Sequence, residues 1–99
     1  MYKNMTKEQE NCSKIMKALG HPVRFYLVEE ILKDKICVCA LAEKLGMSVP
    51  SISKHFSVLK NAGIVEEERN KNSIYYRIKS NSITDLLKII HKVNNCINK

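Results

Sequence analysis

The chain has 99 residues, of which 44% are hydrophobic and 27% charged, and this is typical of one globular domain rather than a disordered segment. Its net charge of +7 favours a polyanionic partner, either nucleic acid or an acidic membrane surface. No apolar run approaches the roughly twenty residues of a membrane span, and the start MYKNMTKEQE lacks the apolar segment of a signal peptide. We therefore expect a cytoplasmic protein without membrane contact, with residues 1–99 as a single domain.

Local signals in the first half of the chain predict three helices in succession. The spacing from Thr6 to Gln9 is that of a capping box, and the helix that it opens ends at Gly20. Pro22 follows at the first turn of a second helix, where its missing amide donor costs nothing. After a polar break at residues 33–35, the chain is extended or begins a third helix, which Gly46 closes.

A fourth helix, a hairpin and a last helix are predicted in the second half. Ser48 caps the fourth helix, whose buried stripe comprises Ile52, Phe56, Leu59 and Ala62. Strands over residues 64–69 and 74–79 flank a turn in which an asparagine is expected to take a positive φ. The last helix, capped near Asn81 or Ser82, carries an apolar stripe of Ile83, Leu86, Leu87, Ile90, Val93 and Ile97. The predicted fold class is mainly α, with about five helices and a two-stranded β-hairpin.

The third and fourth helices, joined by the short turn at residues 46–48, form a helix-turn-helix. The polar side of the fourth helix carries short hydroxyl side chains, which let a helix approach base edges, and Lys and His donors for bases or phosphates. The basic hairpin behind it suits a wing that lies on phosphates or in the minor groove. The predicted DNA-contacting residues are Ser48, Pro50, Ser51, Ser53, Lys54, His55, Ser57, Lys60, Arg69, Lys71 and Arg77.

Four cysteines suggest a second kind of chemistry. In a reducing cytoplasm they are expected to be thiols rather than structural disulfides. Cys37 and Cys39 form a CxC pair within chelating reach of one another, and thiolates are soft ligands that suit thiophilic ions. Two sulfurs rarely suffice, since tetrahedral metals take four ligands and pyramidal As(III) or Sb(III) takes three. Cys12 and Cys96 are therefore the candidates for completing the metal site.

Residues 18–79 resemble the arsenic-repressor (ArsR/SmtB) family of bacterial and archaeal metalloregulators. The segments that carry the resemblance are Cys37-Val38-Cys39 with Leu41, Ser51-x-Ser53-x-His55, Leu59-Lys60-Asn61-Ala62-Gly63 and Tyr75-Tyr76-Arg77. The resemblance implies a winged-helix homodimer that packs through its first and last helices and leaves its operator DNA when an inducer binds. It also assigns base reading to the fourth helix and backbone contact to the wing.

The chain departs from the family pattern in three respects. Ala42 stands where arsenic sensors with a site on one helix have a third cysteine. The resemblance to cadmium and lead sensors, in which cysteines near the N-terminus of the other subunit complete the CxC, instead implies Cys12 as the third ligand and leaves Cys96 outside. The zinc or nickel site of the last helix is incomplete here, because His91 lacks its partner histidine. The wing has no glycine at its tip and begins with the acidic run 66–68, which we interpret as a solvated strand edge.

The sequence thus predicts a repressor that binds operator DNA as a homodimer and is released when As(III)/Sb(III) or Cd(II)/Pb(II) binds its thiolates. Zn(II) is a further candidate inducer, and no obligatory cofactor is expected. One alternative is a thiol redox or sulfide/persulfide sensor on the same fold, in which Cys37 or Cys39 pairs with Cys96 or Cys12. Another is a repressor or interaction module without small-molecule input. An enzyme is not expected, because there is no catalytic arrangement with a plausible pocket and no Gly-rich phosphate loop.

Overall fold

The structure is a computed structural model that describes residues 2–99, so Met1 of the predicted domain lies outside the described residues. The described chain forms five helices and one antiparallel β-hairpin, which confirms the predicted winged helix-turn-helix. The elements in chain order are α1 (Lys7–Leu19), α2 (Pro22–Lys33), α3 (Val38–Leu45), α4 (Val49–Asn61), β1 (Val65–Asn70), β2 (Ser73–Ile78) and α5 (Asn81–Ile97). Within residues 2–99, no helix has the length and apolar character needed to cross a bilayer.

The helix starts follow the predicted capping chemistry. Thr6 and Gln9 bond each other's backbone amides in a reciprocal capping box, each at 3.0 Å. Pro22 lies in the first turn of α2, and the cap before it is His21, whose Nδ1 accepts from the amide of Val23. The start of α5 differs from the prediction by one residue, because Ser80 supplies the cap by accepting from the amide of Ser82.

The hairpin is shifted by one residue from the predicted strands. The amide of Ile64 bonds the carbonyl of Leu59 and so closes the end of α4, which delays β1 to Val65. At the tip Asn70 pairs with Ser73, leaving a two-residue loop. The expectation of an asparagine with positive φ in this loop is wrong, since Lys71 takes the left-handed conformation at φ 56°.

The core joins the helix-turn-helix to the wing. Ile52, Phe56 and Leu59, three residues of the predicted α4 stripe, are fully buried. The ring of Phe56 stacks on that of Tyr76 in β2, with centroids 4.1 Å apart and an angle of 3° between the planes. The alternation of β2 directs Ile74, Tyr76 and Ile78 to this core. Helix α4 and the wing are therefore packed against each other through this core.

A buried carboxylate ties α2 to α3. Glu30 is only 8% exposed and accepts from Lys44 at 2.5 Å and from Lys33 at 3.0 Å. Lys44 lies in α3 and Lys33 in α2, so one carboxylate fixes the first helix of the helix-turn-helix against the helix before it. The hydrogen bonds from Lys44 and Lys33 lower the pKa of Glu30 to about 2.

This pairing predicts a stability difference that depends on pH. Because the folded pKa of Glu30 lies below its ordinary value of 4.5, ionised Glu30 stabilises the fold above pH 4.5, and this contribution is lost as the pH falls toward 2. We expect Glu30→Gln to lower the urea midpoint at pH 7 and to differ less from the wild type at pH 3. Equal differences at both pH values would show that Glu30 acts through packing alone.

The faces of α1 and α5 that point away from this core are apolar and exposed. Leu87 of α5 is buried and Ile83 is half-buried against the core, whereas other apolar side chains of α5 lie open, and Ile89 and Ile97 are 56% and 73% exposed. On α1, Met16 is 69% exposed. A groove between the two helices is lined by Met16, Leu19, Gly20, His21, Pro22, Phe25, Leu86, Leu87 and Ile90. We call the exposed residues Met16, Leu86, Ile89, Ile90, Val93 and Ile97 the α1–α5 face.

Candidate nucleic-acid interface and thiol site

The turn between α3 and α4 is built by one glycine and one serine. Gly46 adopts a left-handed conformation (φ 64°, ψ 32°), and the next amide, of Met47, bonds the carbonyl of Ala42 at 2.9 Å. Ser48 then caps α4 by accepting from the amide of Ser51 at 3.2 Å. These two caps set the direction in which α4 leaves α3, and hence the side of α4 that faces solvent.

The predicted contact residues of α4 lie outside its buried stripe. Lys54, Ser57 and Lys60 are exposed, and so are Ser48 and Pro50 at the start of the helix. Ser51, Ser53 and His55 are half-buried. We call this hydroxyl- and lysine-bearing surface the polar strip of α4, and side chains of this kind suit a helix that enters the major groove.

Some of the hydroxyls on this strip are already engaged within the helix. Ser48 donates to the hydroxyl of Ser51 at 2.8 Å, and Ser57 donates to the carbonyl of Ser53 at 3.1 Å. The hydroxyl of Ser51 receives a hydrogen bond and so keeps its own proton for another acceptor. Ser51 is therefore better placed than Ser57 to donate to a base.

His55 is held by a residue that the sequence did not single out. Arg24 of α2 lies with Nη1 3.3 Å from Nδ1 of His55, and its Nε donates to the carbonyl of Ala18 at 2.7 Å. Because a guanidinium only donates, Nδ1 of His55 accepts and the ring proton is on Nε2. Burial, together with His21 and Arg24 nearby, lowers the pKa of His55. His55 is therefore a neutral donor on α4 rather than a cation.

On the wing, carboxylates of β1 pair with the predicted cations. Glu66 accepts from Arg77 at 2.6 Å, and Glu67 lies 3.6 Å from Arg69. Glu68 accepts from Lys35 at 3.1 Å. The side chains of Glu66, Glu67 and Glu68 are 32–40% exposed, in keeping with the interpretation of residues 66–68 as a solvated strand edge, and each carboxylate also faces a cation from β2, from β1 itself or from the segment before α3.

Lys71 at the wing tip differs from these paired cations. It is exposed, and within the described residues no ion pair involves it. Tyr76 donates to Glu67 at 3.3 Å, and burial together with the charge of Glu67 raises the pKa of its phenol. The positive charge that the wing can offer to DNA is consequently greatest at its tip.

The CxC pair straddles the junction between an extended segment and α3. Cys37 is the extended N-cap of α3 and is half-buried, and it forms an isolated antiparallel bridge with Tyr75 of β2. Cys39 lies in the first turn of α3 and is exposed. Cys12 on α1 and Cys96 on α5 are also exposed, and all four thiols are free. Within residues 2–99 of one protomer, no three or more Cys, His, Asp or Glu side chains are grouped to hold a metal ion.

The histidines outside α4 have structural partners. His21 caps α2 and lies with its ring centroid 4.6 Å from that of His55. His91 of α5 is 2.6 Å from Glu29 of α2 through Nε2, and its ring meets that of Phe25 edge-on. His91 thus links α5 to α2, in keeping with the incomplete metal pattern of the last helix.

Comparison with known proteins identifies the family. The profile described as "Bacterial regulatory protein, arsR family" matches residues 21–67, a range that contains both helices of the helix-turn-helix and the CxC pair. The Biofilm growth-associated repressor of Xylella fastidiosa is 30% identical over 90 residues, which cover 91% of this chain and 79% of that protein. The chain belongs to the arsR family. The resemblance inferred from the sequence is confirmed, and because the family consists of DNA-binding transcriptional regulators, so is the prediction that the chain is not an enzyme.

Two further relatives bear on the fold and on the range of arsR-family inputs. The homodimeric winged helix-turn-helix DNA-binding domain Mb0332 of Mycobacterium bovis superposes with a TM-score of 0.86 at 22% identity, covering 100% of this chain and 94% of that one. The cadmium resistance transcriptional regulatory protein CadC of Listeria innocua is 32% identical over 80 residues, which cover 81% of this chain and 58% of CadC. The arsR-family fold of this chain is thus shown.

Proposed function

We propose that this arsR-family protein is a homodimeric repressor that reads operator DNA with α4 and the wing tip and is released when a thiophilic ion binds Cys37 and Cys39. The observation that supports the proposal most directly is that the predicted DNA-contacting surface and the predicted ion-binding thiols lie on adjacent helices. The polar strip of α4 and the CxC pair belong to the same two-helix unit, since Cys37 caps α3 and Gly46 links α3 to α4. The Xylella relative is named a repressor and the Listeria relative a cadmium resistance regulator.

Three kinds of contact support DNA binding by this surface. Lys54 and Lys60 are exposed lysines at the edge of α4 that suit phosphates. Ser51 and His55 supply neutral donors between them, which suit base edges or phosphates at close range. Lys71 extends the positive charge to the wing tip. Arg69 and Arg77 contribute to DNA affinity only after they exchange Glu67 and Glu66 for phosphate, which reduces their net benefit.

We expect Lys54→Ala to weaken binding to a duplex selected by the wild-type protein from a random pool. The slope of log affinity against log salt should decrease by about 0.9 for each subunit, because one phosphate contact is lost. Lys7→Ala, which removes an exposed lysine from α1, is the matched control and should leave the slope unchanged. An unaltered slope in Lys54→Ala would remove Lys54 from the contact surface.

The α1–α5 face supports the homodimer. Exposed contiguous apolar surface of this kind marks interfaces, because water contact with it is unfavourable. The face contains side chains from both helices, and a second copy related by a two-fold axis presents the same apolar surface in return. Pairing through this face would place two α4 helices in one particle, as a palindromic operator requires.

Ile90→Asp should therefore convert the dimer to a monomer in sedimentation experiments, since it places a charge in the apolar face. Its affinity for the selected duplex should fall about 100-fold or more, because the second half-site contact is no longer intramolecular. Leu32→Asp is the control, since Leu32 on α2 is exposed to a similar extent, 36% against 41% for Ile90, but lies outside the face. A dimeric Ile90→Asp protein would place the interface elsewhere.

The two thiolates of Cys37 and Cys39 can hold a soft ion only if a further thiolate completes its coordination. Cys37 and Cys39 supply two sulfurs, whereas Cd(II), Pb(II) or Zn(II) and As(III) or Sb(III) require three or four ligands. Cys12 is exposed on α1 four residues before Met16, so it lies on the helical stripe that belongs to the α1–α5 face. In the proposed dimer this position favours Cys12 of the second subunit as the third ligand. Cys96 also lies on a helix of that face and is the weaker candidate.

The inducer assignment predicts a selective loss of response. Cys37→Ser and Cys39→Ser should bind the selected duplex within about twofold of the wild type, because neither thiol lies on the α4 strip. Addition of Cd(II) or As(III) should weaken wild-type binding by a factor of about 5 to 150, the usual range of allosteric coupling, and should leave both serine variants unaffected. Cys96→Ser is the control and should keep the response. Release of either serine variant by these ions would contradict the assignment.

A second candidate input is thiol oxidation, because Cys12, Cys39 and Cys96 are all solvent-exposed and free. Joining two thiols in a disulfide, or through a polysulfide, transfers two electrons to an oxidant and releases two protons, and would constrain the helices that carry them. Intact-mass measurement after treatment with hydrogen peroxide or sodium tetrasulfide separates this input from ion binding.

A further inference from the structure

The segment that carries Cys37 is fastened to the wing at two points. The first is the backbone, where Cys37 bridges Tyr75 in antiparallel fashion. Tyr75 also pairs with Glu68 across the hairpin, so β2 has β1 on one side and Cys37 on the other. The extended residue before α3 is therefore a one-residue third strand of the wing.

The second point of attachment is made by side chains. Lys35, two residues before Cys37, donates to Glu68 at 3.1 Å, and its ammonium lies 5.0 Å from the centroid of the Tyr75 ring. Glu68 and Tyr75 are the cross-strand pair just described. The backbone bridge, the ion pair and the cation–π contact therefore all involve the cross-strand pair of Glu68 and Tyr75.

We propose that Lys35, Cys37, Glu68 and Tyr75 form a clamp through which chemistry at the CxC thiolates moves the wing. This inference rests on the proposed function and names the route of its regulation. Lys35 and Glu68 are positioning residues, since neither carries a thiol nor belongs to the predicted DNA-contacting set.

The backbone geometry at the CxC pair indicates how a bound ion would act on this clamp. Cys37 is extended and Cys39 is helical, so an ion that binds both sulfurs acts across a change in backbone conformation. The carbonyl of Cys37 also accepts the first helical hydrogen bond of α3, from Leu41 at 3.1 Å. α3 is fixed to α2 by Glu30, whereas Tyr75, on the face of β2 that points away from Phe56, contacts the Cys37 segment through the bridge and the exposed side chain of Lys35. The strain of ligation would therefore relax at the Tyr75–Glu68 position of the wing, while Tyr76 stays packed on Phe56.

The first experiment compares two neighbouring carboxylates of β1. Glu68→Gln removes the ion pair to Lys35, whereas Glu67→Gln removes the same charge from a residue that contacts Tyr76 and Arg69 within the wing. For each protein the affinity for the selected duplex is measured with and without Cd(II), and Cd(II) binding is followed by thiolate charge-transfer absorbance. If Cd(II) weakens wild-type binding about tenfold, we expect at most about threefold in Glu68→Gln and an unchanged factor in Glu67→Gln. Equal factors in all three proteins, with Cd(II) bound, would overturn the clamp.

The second experiment needs neither metal nor DNA. Two variants keep a single cysteine, either Cys37 or Cys39, with the others replaced by Ser, and each is alkylated with iodoacetamide. Because a group on Cys37 disturbs the bridge to Tyr75, amide hydrogen exchange in residues 73–78 should accelerate at least threefold after alkylation of Cys37 and stay unchanged after alkylation of Cys39. Unchanged exchange in both would refute the clamp.

The two experiments separate the inference from the function on which it rests. Absence of thiolate absorbance with Cd(II) in the wild type would reject Cd(II) as an inducer, and the exchange result would still decide whether Cys37 is coupled to the wing. Normal Cd(II)-induced release combined with unaltered exchange would retain the inducer and reject the route.

Discussion

The stacking of Phe56 on Tyr76 is the contact on which the arrangement of the helix-turn-helix and the wing depends. Phe56 is fully buried, and its ring lies parallel to that of Tyr76 with 4.1 Å between the centroids. A side chain in the middle of α4 is thereby packed against the middle of β2, and this contact sets where the wing lies relative to the polar strip of α4. Because core aromatic contacts contribute several kcal/mol, whereas exposed ion pairs contribute about 0–1 kcal/mol, the packing and not the wing salt bridges sets this geometry.

Positive charge is distributed unevenly over α4 and the wing, because some of their cations lie beside carboxylates and others do not. Arg69 and Arg77 neighbour carboxylates, His55 is held neutral by burial and by Arg24, and the lysines of α4 and the wing tip stay exposed. A net charge of +7 therefore overstates the positive potential of the wing, and in the proposed complex the attraction to DNA would be concentrated on a few lysines. Neutral donors between them suit sequence reading better than general attraction.

Local sequence signals predicted those elements whose determinants lie within a few residues. The capping box at Thr6, the left-handed Gly46 and the apolar spacing of Ile52, Phe56 and Leu59 each act over one or two helical turns, and each is confirmed. The strand limits were off by one residue because the amide of Ile64 is used by the end of α4, which depends on how the helix closes.

Contacts between distant segments were not accessible to the same reasoning. Arg24 and His55 are 31 positions apart, and Lys35 and Glu68 are 33 apart, so no periodicity or spacing links them. The ion pairs of Glu66 and Glu68 were not predicted, because Arg77 lies across the hairpin and Lys35 lies before α3. The CxC pair was visible as a motif, but its attachment to β2 appears only when the chain is folded.

Lys71 illustrates a compromise between stability and charge at the end of the hairpin. A side chain with φ of 56° is disfavoured by about 1–2 kcal/mol, a cost that glycine would avoid. Glycine there would make a sturdier turn without a cation. Lys71 instead places a positive charge at the tip of the wing. Selection for thermal stability alone would be expected to replace this lysine with glycine.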